Sequence, residues 1–384
     1  TMRGLIKMDS QQQELVSMVR NFMNKEIKPH VHEFEEAGGY PEHLIQMGKD
    51  MGLTVMQVPE QYGGLGLSTT TTAMMLEEGA KVESTYISMF NITNMGAKIV
   101  MFAGSDAQKE YYASILADGG MSSFCLTEPG AGSDAASVRT TAVRKGDKYI
   151  INGNKMFITN ASIADVFLVV ASTDLSKGYK GLATFIVERN RPGVTVGKKE
   201  DKLGMRLSIT AEVAFQDVEI PVENLVGTEE TGFANAMKVL ELSRPLVAAS
   251  SVGSSQQAID LAIKYAQERV QFGQPICKFE AIQMMLADMQ MRTSAARALV
   301  YNACALIDAG LPCSKEAAMA KCFAADAYQK NATDAVQIMG GYGVMKEYMA
   351  EKLYRDSKIT QIVEGTNQIQ RMVIAKQMIK ENKI

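Results

Sequence analysis

Between residues 10 and 120 the apolar positions recur at helical spacing. Leu15, Met18, Val19, Phe22 and Met23 share one face at i, i+3, i+4, i+7 and i+8. Pro29 is expected to end that helix and Pro41 to start the next. Residues 74–79 and 88–102 read as apolar helices, the second carrying Asn91, Thr93 and Asn94 as polar positions that face either a pocket or solvent. The Gly-rich run 61–66 lacks the strand-to-helix surroundings of a dinucleotide fingerprint and reads as a loop. After Gly120 the period changes. Residues 148–155 give a hairpin signal with Asn152-Gly153 as the turn pair, and 166–171, 183–187 and 213–220 read as strands, the last stopped by Pro221. From Gly232 helical spacing returns: Ala258, Leu261, Ala262, Tyr265 and Ala266 form one face, and Ile282, Met285, Leu286 and Met289 another. The pattern predicts an α+β chain in three regions: an α-helical domain over 1–122, a β domain over 123–232 and a helical bundle over 233–384.

Length and composition agree with that division. A chain of 384 residues exceeds what one core usually supports. Forty basic and 43 acidic residues are well mixed at a net charge of −3, which leaves no electrostatic footprint for nucleic acid or a membrane surface. No apolar run has the length of a membrane span. The first residues show no signal or transit pattern, and Thr1 ahead of Met2 reads as an added residue. Five scattered cysteines without a CxxC pair fit a reducing compartment, so the cytoplasm is expected. His30, His32 and His43 read as surface helix-end residues, and no metal site is expected. The 26 methionines read as helix-core filler.

The stretch that carries chemistry is Phe124-Cys-Leu-Thr-Glu-Pro-Gly-Ala-Gly-Ser-Asp134. Glu128-Pro129 breaks a helix, Gly130 and Gly132 allow a tight turn, and Ser133 and Asp134 end it with short polar groups. Such a loop brings N–H groups and hydroxyls close to a planar or phosphorylated ligand. Further on stands Lys155-Met-Phe-Ile-Thr-Asn160.

Together these runs resemble the flavin-binding signature of the acyl-CoA dehydrogenases, and the resemblance spans the whole chain. It implies a helical domain, a middle β-barrel or sandwich and a C-terminal four-helix bundle, with FAD bound without covalent attachment. It further implies that Phe124, Leu126, Thr127, Gly132, Ser133, Phe157, Ile158 and Thr159 hold the flavin, Ser133 also meeting substrate. Relatives often carry Trp where Phe157 stands. By the same resemblance Arg269 pairs the pyrophosphate across a subunit interface, Phe272 packs near the flavin, and Gln337, Gly340 and Gly341 receive the adenosine half from a neighbouring subunit. Thr366 and Gln368 complete the cofactor set. Glu241, Arg244 and Gly365 are assigned to the acyl-CoA.

Glu364 stands where most of the family carries its catalytic base. The chemistry explains a carboxylate there. The α-C–H beside a thioester is weakly acidic, and a desolvated carboxylate is a stronger base. The family polarises the thioester oxygen with the N–H of that same residue and a ribityl hydroxyl. Some branches place the base near Arg244, where this chain has Ser243. The implied function is interconversion of an acyl-CoA with its trans-2,3-enoyl-CoA, electrons being exchanged with an electron-transferring flavoprotein, in a homotetramer. A reductive enoyl-CoA reductase, an acyl-CoA oxidase and a non-catalytic flavin-bound scaffold are the alternatives. Val363 replaces an aromatic residue of many straight-chain members, so a bulky, polar or unsaturated acyl group is expected.

Overall fold

Asp9 accepts from the N–H of Gln12, whose side chain returns a bond to the Asp9 N–H, and this capping box opens α1 (Ser10–Phe22). The computed structural model of the protein describes residues 7–382, so Thr1 and Met2 lie outside the described residues. Pro29 does not end the helical path. α1 passes into a π turn (Met23–Ile27) and a short 3-10 turn (Lys28–His30), then resumes as α2 (Val31–Ala37). Pro29 stands at the start of that turn, where a missing N–H costs no intrahelical bond. Behind Pro41 follows α3 (Glu42–Asp50), then α4 (Thr69–Ala80), α5 (Ser84–Ala103) and α6 (Asp106–Ala117), capped by Ser68, Glu83 and Ser105.

The middle region is one eight-stranded sheet: β1 (Ser122–Cys125), β2 (Thr141–Lys145), β3 (Lys148–Thr159), β4 (Val166–Ser172), β5 (Leu182–Glu188), β6 (Val194–Lys199), β7 (Thr210–Pro221) and β8 (Leu225–Val226). The order is β6-β7-β3-β2-β4-β5-β8, with β1 parallel to β4. The sheet curls over one core. Tyr149 on β3 and Phe185 on β5 are separated by two strands, yet their rings lie 5.0 Å apart. Asn152-Gly153 is not a turn. It lies inside β3 at a bulge opposite β7, and the hairpin instead turns at Gly146-Asp147. The Asn152 side chain exchanges hydrogen bonds with Asp217 there, and a Cβ on Gly153 would collide with Thr140.

α7 (Gly232–Glu268) carries the chain back across the sheet and contains Pro245. A two-strand ribbon, β9 (Val270–Gln271) and β10 (Gln274–Pro275), leads to α8 (Glu280–Asp308), α9 (Ser314–Met339), α10 (Ala350–Thr360) and α11 (Asn367–Glu381). α9 packs against α7, α8, α10 and α11. The largest core mixes both helical regions: Val16, Met23 and Phe90 share it with Leu246, Val300, Ala320 and Ala327. Asp308, at the end of α8, accepts from the first two N–H groups of α4 at 2.7 and 2.9 Å. Buried Glu77 of α4 pairs with Arg297 and Tyr301 of α8, both at 2.9 Å. No helix among the described residues is long and apolar enough to cross a membrane.

Candidate active site

Two runs of the sequence motif, 27 residues apart, are tied together by a buried ion pair. Lys155 on β3 is sealed from solvent and donates to Glu128 Oε1 at 2.8 Å and to the Leu126 carbonyl at 3.1 Å. Glu128 also accepts from the N–H groups of Arg139 and Thr140, and the Met156 N–H donates to the Thr127 carbonyl at 2.8 Å. Burial works against the Glu128 charge, but Lys155 and these bonds hold its carboxyl below the usual range. The loop is thereby fixed on the edge of β3.

Just beyond, β3 and β7 slip register between Lys155 and Ile158. Phe157 takes a left-handed backbone (φ +59°) and swings its ring outward, 60% exposed. Ile158 turns its side chain into the sheet core, which leaves only its backbone for a ligand. Thr127 and Thr159 are half-buried with hydroxyls not bonded to protein, and Ser133 is exposed. Ser123 Oγ fixes the Thr159 carbonyl at 2.7 Å. Gly130 and Gly132 have open space where a Cβ would stand, so packing within this chain does not demand glycine there. Leu126 and Phe124 pack beneath the loop against Leu240 of α7.

A second group gathers at the far end of α7. The Arg269 guanidinium stacks on Tyr342, 5.6 Å from the ring centroid, directly after the Gly340-Gly341 turn. Gln337, Gly340 and Gly341 are exposed, with no neighbour within 4 Å of a Cβ at either glycine. Phe272 stands on the β9–β10 tip at 94% exposure. Among the described residues, no hydrogen bond, ion pair or ring contact joins this group to the first.

The third group surrounds Glu364, in the turn between α10 and α11. Glu364 has φ +54° and Gly365 φ +88°, a left-handed pair that only neighbouring contacts can hold. Those contacts come from three helices. Ser243 of α7 donates to Glu364 Oε1 at 3.0 Å, and Arg244 Nε approaches the Glu364 carbonyl at 3.5 Å. Lys321 of α9 donates to the Gly365 carbonyl and to Asn367 Oδ1, both at 2.9 Å. Gln370 of α11 donates to the carbonyls of Glu364 and Gly365. Asp326 of α9 accepts from Gln361, Asn367 and Arg371, each at 2.7 Å. Thr366 caps α11, and Gln368 is exposed.

Among the described residues, Glu364 Oε2 is buried without any partner, and the Glu364 N–H is likewise unbonded. Burial raises the Glu364 pKa; the Ser243 bond and the cations Arg244, Lys321 and Lys98 oppose it. Burial in turn pushes Lys98 and Lys321 down to about 8, with Glu364 opposing. Glu241 bonds Lys238 at 2.9 Å and does not form an ion pair with Arg244. Chemically, this is a desolvated carboxylate, able to take up a proton, next to an open amide N–H.

Four roles escape the sequence reading: Lys155 and Glu128 as the buried tie, and Lys321 and Lys98 as cations around Glu364. Lys321 had a signal, because it interrupts the apolar stripe Ala317-Ala320-Ala324 of α9. The expectation that Thr93 and Asn94 face a pocket or solvent is corrected. Thr93 donates to the Met89 carbonyl, and Asn94 binds the Leu53 and Phe90 carbonyls and the Gln57 N–H. Asn91 alone of the three makes no such bond.

Comparison with known proteins gives one answer along the whole chain. Family models match for the acyl-CoA dehydrogenase N-terminal domain over residues 9–120, the middle domain over 123–218 and the C-terminal domain over 230–379. An acyl-CoA dehydrogenase of Bacillus subtilis is 46% identical over 365 residues, covering 94% of this chain and 96% of its own. The butyryl-CoA dehydrogenase of Megasphaera elsdenii superposes with a TM-score of 0.95 at 40% identity, covering 97% of this chain and 99% of its own. A chain solved in work on the electron transferring flavoprotein of Acidaminococcus fermentans and flavin-based electron bifurcation gives 0.95 at 44%, covering 98% and 99%. The chain belongs to the acyl-CoA dehydrogenase family and is an FAD-dependent oxidoreductase.

Proposed function

We propose that the protein oxidises an acyl-CoA to its trans-2,3-enoyl-CoA, with Glu364 as the base that removes the α-proton. The observation that supports this most is the Glu364 carboxylate, one oxygen held by Ser243 and the other buried and unpaired. A base so desolvated gains proton affinity without losing its position.

The residues present fit FAD. Phe157 offers an exposed apolar face, flanked by the open Thr127 and Thr159 hydroxyls and backbone. Arg269 with the bare Gly340-Gly341 turn suits a pyrophosphate, since a guanidinium is a planar, permanent, bidentate donor. When bound, FAD supplies the acceptor for the β-hydrogen, which leaves the substrate as hydride. The α-proton passes to Glu364 Oε2. As negative charge grows on the thioester oxygen, the Glu364 N–H stands ready to donate to it. Glu241 and Arg244, one turn apart on α7, flank the same end of the substrate. Arg244 and Lys321 steady the carboxylate that the proton neutralises.

The second group of residues is exposed in one chain, which supports its use on a neighbouring subunit in a homotetramer. The likeness to the chain studied with the Acidaminococcus flavoprotein supports an electron-transferring flavoprotein as electron partner. Five free cysteines support a reducing cytoplasm. The test is a panel of acyl-CoAs mixed with the FAD-loaded protein under anaerobic conditions. Flavin bleaching with formation of the enoyl-CoA is expected; retained flavin that no acyl-CoA bleaches rejects the reading.

A further inference from the structure

α5 and α7 pack side by side. α7 leaves Glu364 at Ser243 and runs toward the beginning of α5, where Ser254 and Gln257 donate to the Ala80 and Val82 carbonyls. The helices are therefore antiparallel. Ser250 lies seven residues beyond Ser243 on the same α7 stripe. Asn91 lies seven residues before Lys98 on α5, and Lys98 is close enough to Glu364 to act on its charge. Seven helical residues rise about 10 Å. Asn91 and Ser250 thus stand at one level, two turns below the reacting carboxylate.

These two side chains share an unusual state. Asn91 is 3% and Ser250 6% exposed, and neither polar group bonds the protein among the described residues. Nor are they sealed, as Ser255 Oγ and Glu364 Oε2 are. Their neighbours are spent: Thr93 and Asn94 as above, Ser251 on the Val247 carbonyl, Ser254 on the Ala80 carbonyl. A buried amide and hydroxyl without a protein partner hold hydrogen-bonding capacity in reserve for water or a ligand between the helices.

Resting on the acyl-CoA reading above, we propose that Asn91 and Ser250 form a hydrogen-bonding floor to the acyl channel. The acyl group taken by this protein carries a neutral polar substituent, a hydroxyl or carbonyl, roughly 10 Å from the reacting carbons. The floor favours a neutral group over an ionised one. Arg297 is committed to Glu77, and Lys98 stands two turns higher. A plain alkyl tail would displace water from Asn91 and Ser250 and leave both unpaired, which is the penalty that drives selection.

The test compares decanoyl-CoA, ω-hydroxydecanoyl-CoA and decanedioyl-CoA as reductants of the FAD-loaded wild type, Ser250→Ala and Asn91→Leu. The wild type is expected to favour the hydroxylated acyl-CoA over decanoyl-CoA by roughly tenfold in kcat/KM, one hydrogen bond's worth, and to disfavour decanedioyl-CoA. Asn91→Leu should cancel or invert that ratio. Ser250→Ala removes one oxygen and should reduce the ratio even if Asn91→Leu does not fold. Decanoyl-CoA equal to or better than the hydroxylated compound in the wild type overturns the floor while leaving the dehydrogenase reading intact. Decanedioyl-CoA as the best of the three overturns its neutral character. Failure of all three, with other acyl-CoAs also inert, rejects the dehydrogenase reading and the floor with it.

Discussion

The Ser243 hydroxyl donates to one oxygen of Glu364 at 3.0 Å and leaves the other oxygen, buried, without a partner. The bond both aims the carboxylate and favours its charged form. Ser243→Ala removes that help, so the Glu364 pKa rises further above its ordinary value. Oxidation needs the ionised base. The acid limb of the kcat/KM profile for acyl-CoA should therefore move to higher pH, with the rate recovering on the alkaline side. An acid limb that does not move shows that Ser243 does not tune the base. The stability sign is opposite to that of a paired carboxylate: the ionised Glu364 costs stability above its folded-state pKa, and the cost is relieved as pH falls through it.

Glu364→Gln keeps the size and nearly the shape, but an amide cannot take the α-proton. FAD and acyl-CoA should still bind, seen as the flavin spectral shift. Stopped-flow bleaching under anaerobic conditions should slow by ~10²–10⁴-fold, the range of a general base. Enoyl-CoA reduction should slow too, because the same group returns the proton. Bleaching at the wild-type rate removes Glu364 from the mechanism.

Lys155→Met leaves the Glu128 carboxylate buried with only two N–H partners. Breaking a buried pair in this way costs roughly 3–5 kcal/mol, so a clear fall in Tm is expected, with weaker FAD retention because the 126–134 loop loses its tie. In the wild type, the Glu128 contribution is present above the ordinary carboxylate pKa and is lost as pH falls through its depressed folded value. An unchanged Tm in Lys155→Met contradicts this assignment.

Arg269→Ala should weaken FAD more than acyl-CoA. A charge-assisted contact contributes roughly 1.5–3 kcal/mol, or about 10- to 100-fold in the FAD Kd. Equilibrium flavin titration of the apoprotein reads it directly. An FAD Kd equal to that of the wild type dissociates Arg269 from the cofactor.

The order helix, sheet, helix was legible because each region keeps its own period over many residues, as Leu15 to Met23 and Ala258 to Ala266 show. The errors fall where tertiary partners override local signals. Asn152-Gly153 has the wording of a turn, but β7 pairs along both sides of it, and Asp217 uses the Asn152 amide to bridge a bulge. Pro29 is tolerated because a 3-10 turn accepts it. At the site, wording alone pointed to Phe157, Thr159 and Glu364. The devices that hold them, Lys155 on Glu128 and Lys321 on Gly365, join residues 27 and 44 positions apart. No local pattern encodes such pairings. Asn91, Thr93 and Asn94 look alike in sequence, and only the direction of each side chain separates the open one from the two that are spent.

The shared core has a consequence for synthesis of the chain. Val16, Met23 and Phe90 leave the ribosome long before Ala320 and Ala327, which complete the same cluster. At roughly 5–20 residues per second, that interval is on the order of ten seconds to a minute. Throughout it the N-terminal helices show Met74, Met75 and Leu76 to whatever is nearby, because the surface meant to cover them does not yet exist. The β region between them has a core of its own and can close first. Nascent chains stalled before α9 should therefore be bound by chaperones at their N-terminal helices, and released once the translated length passes α9.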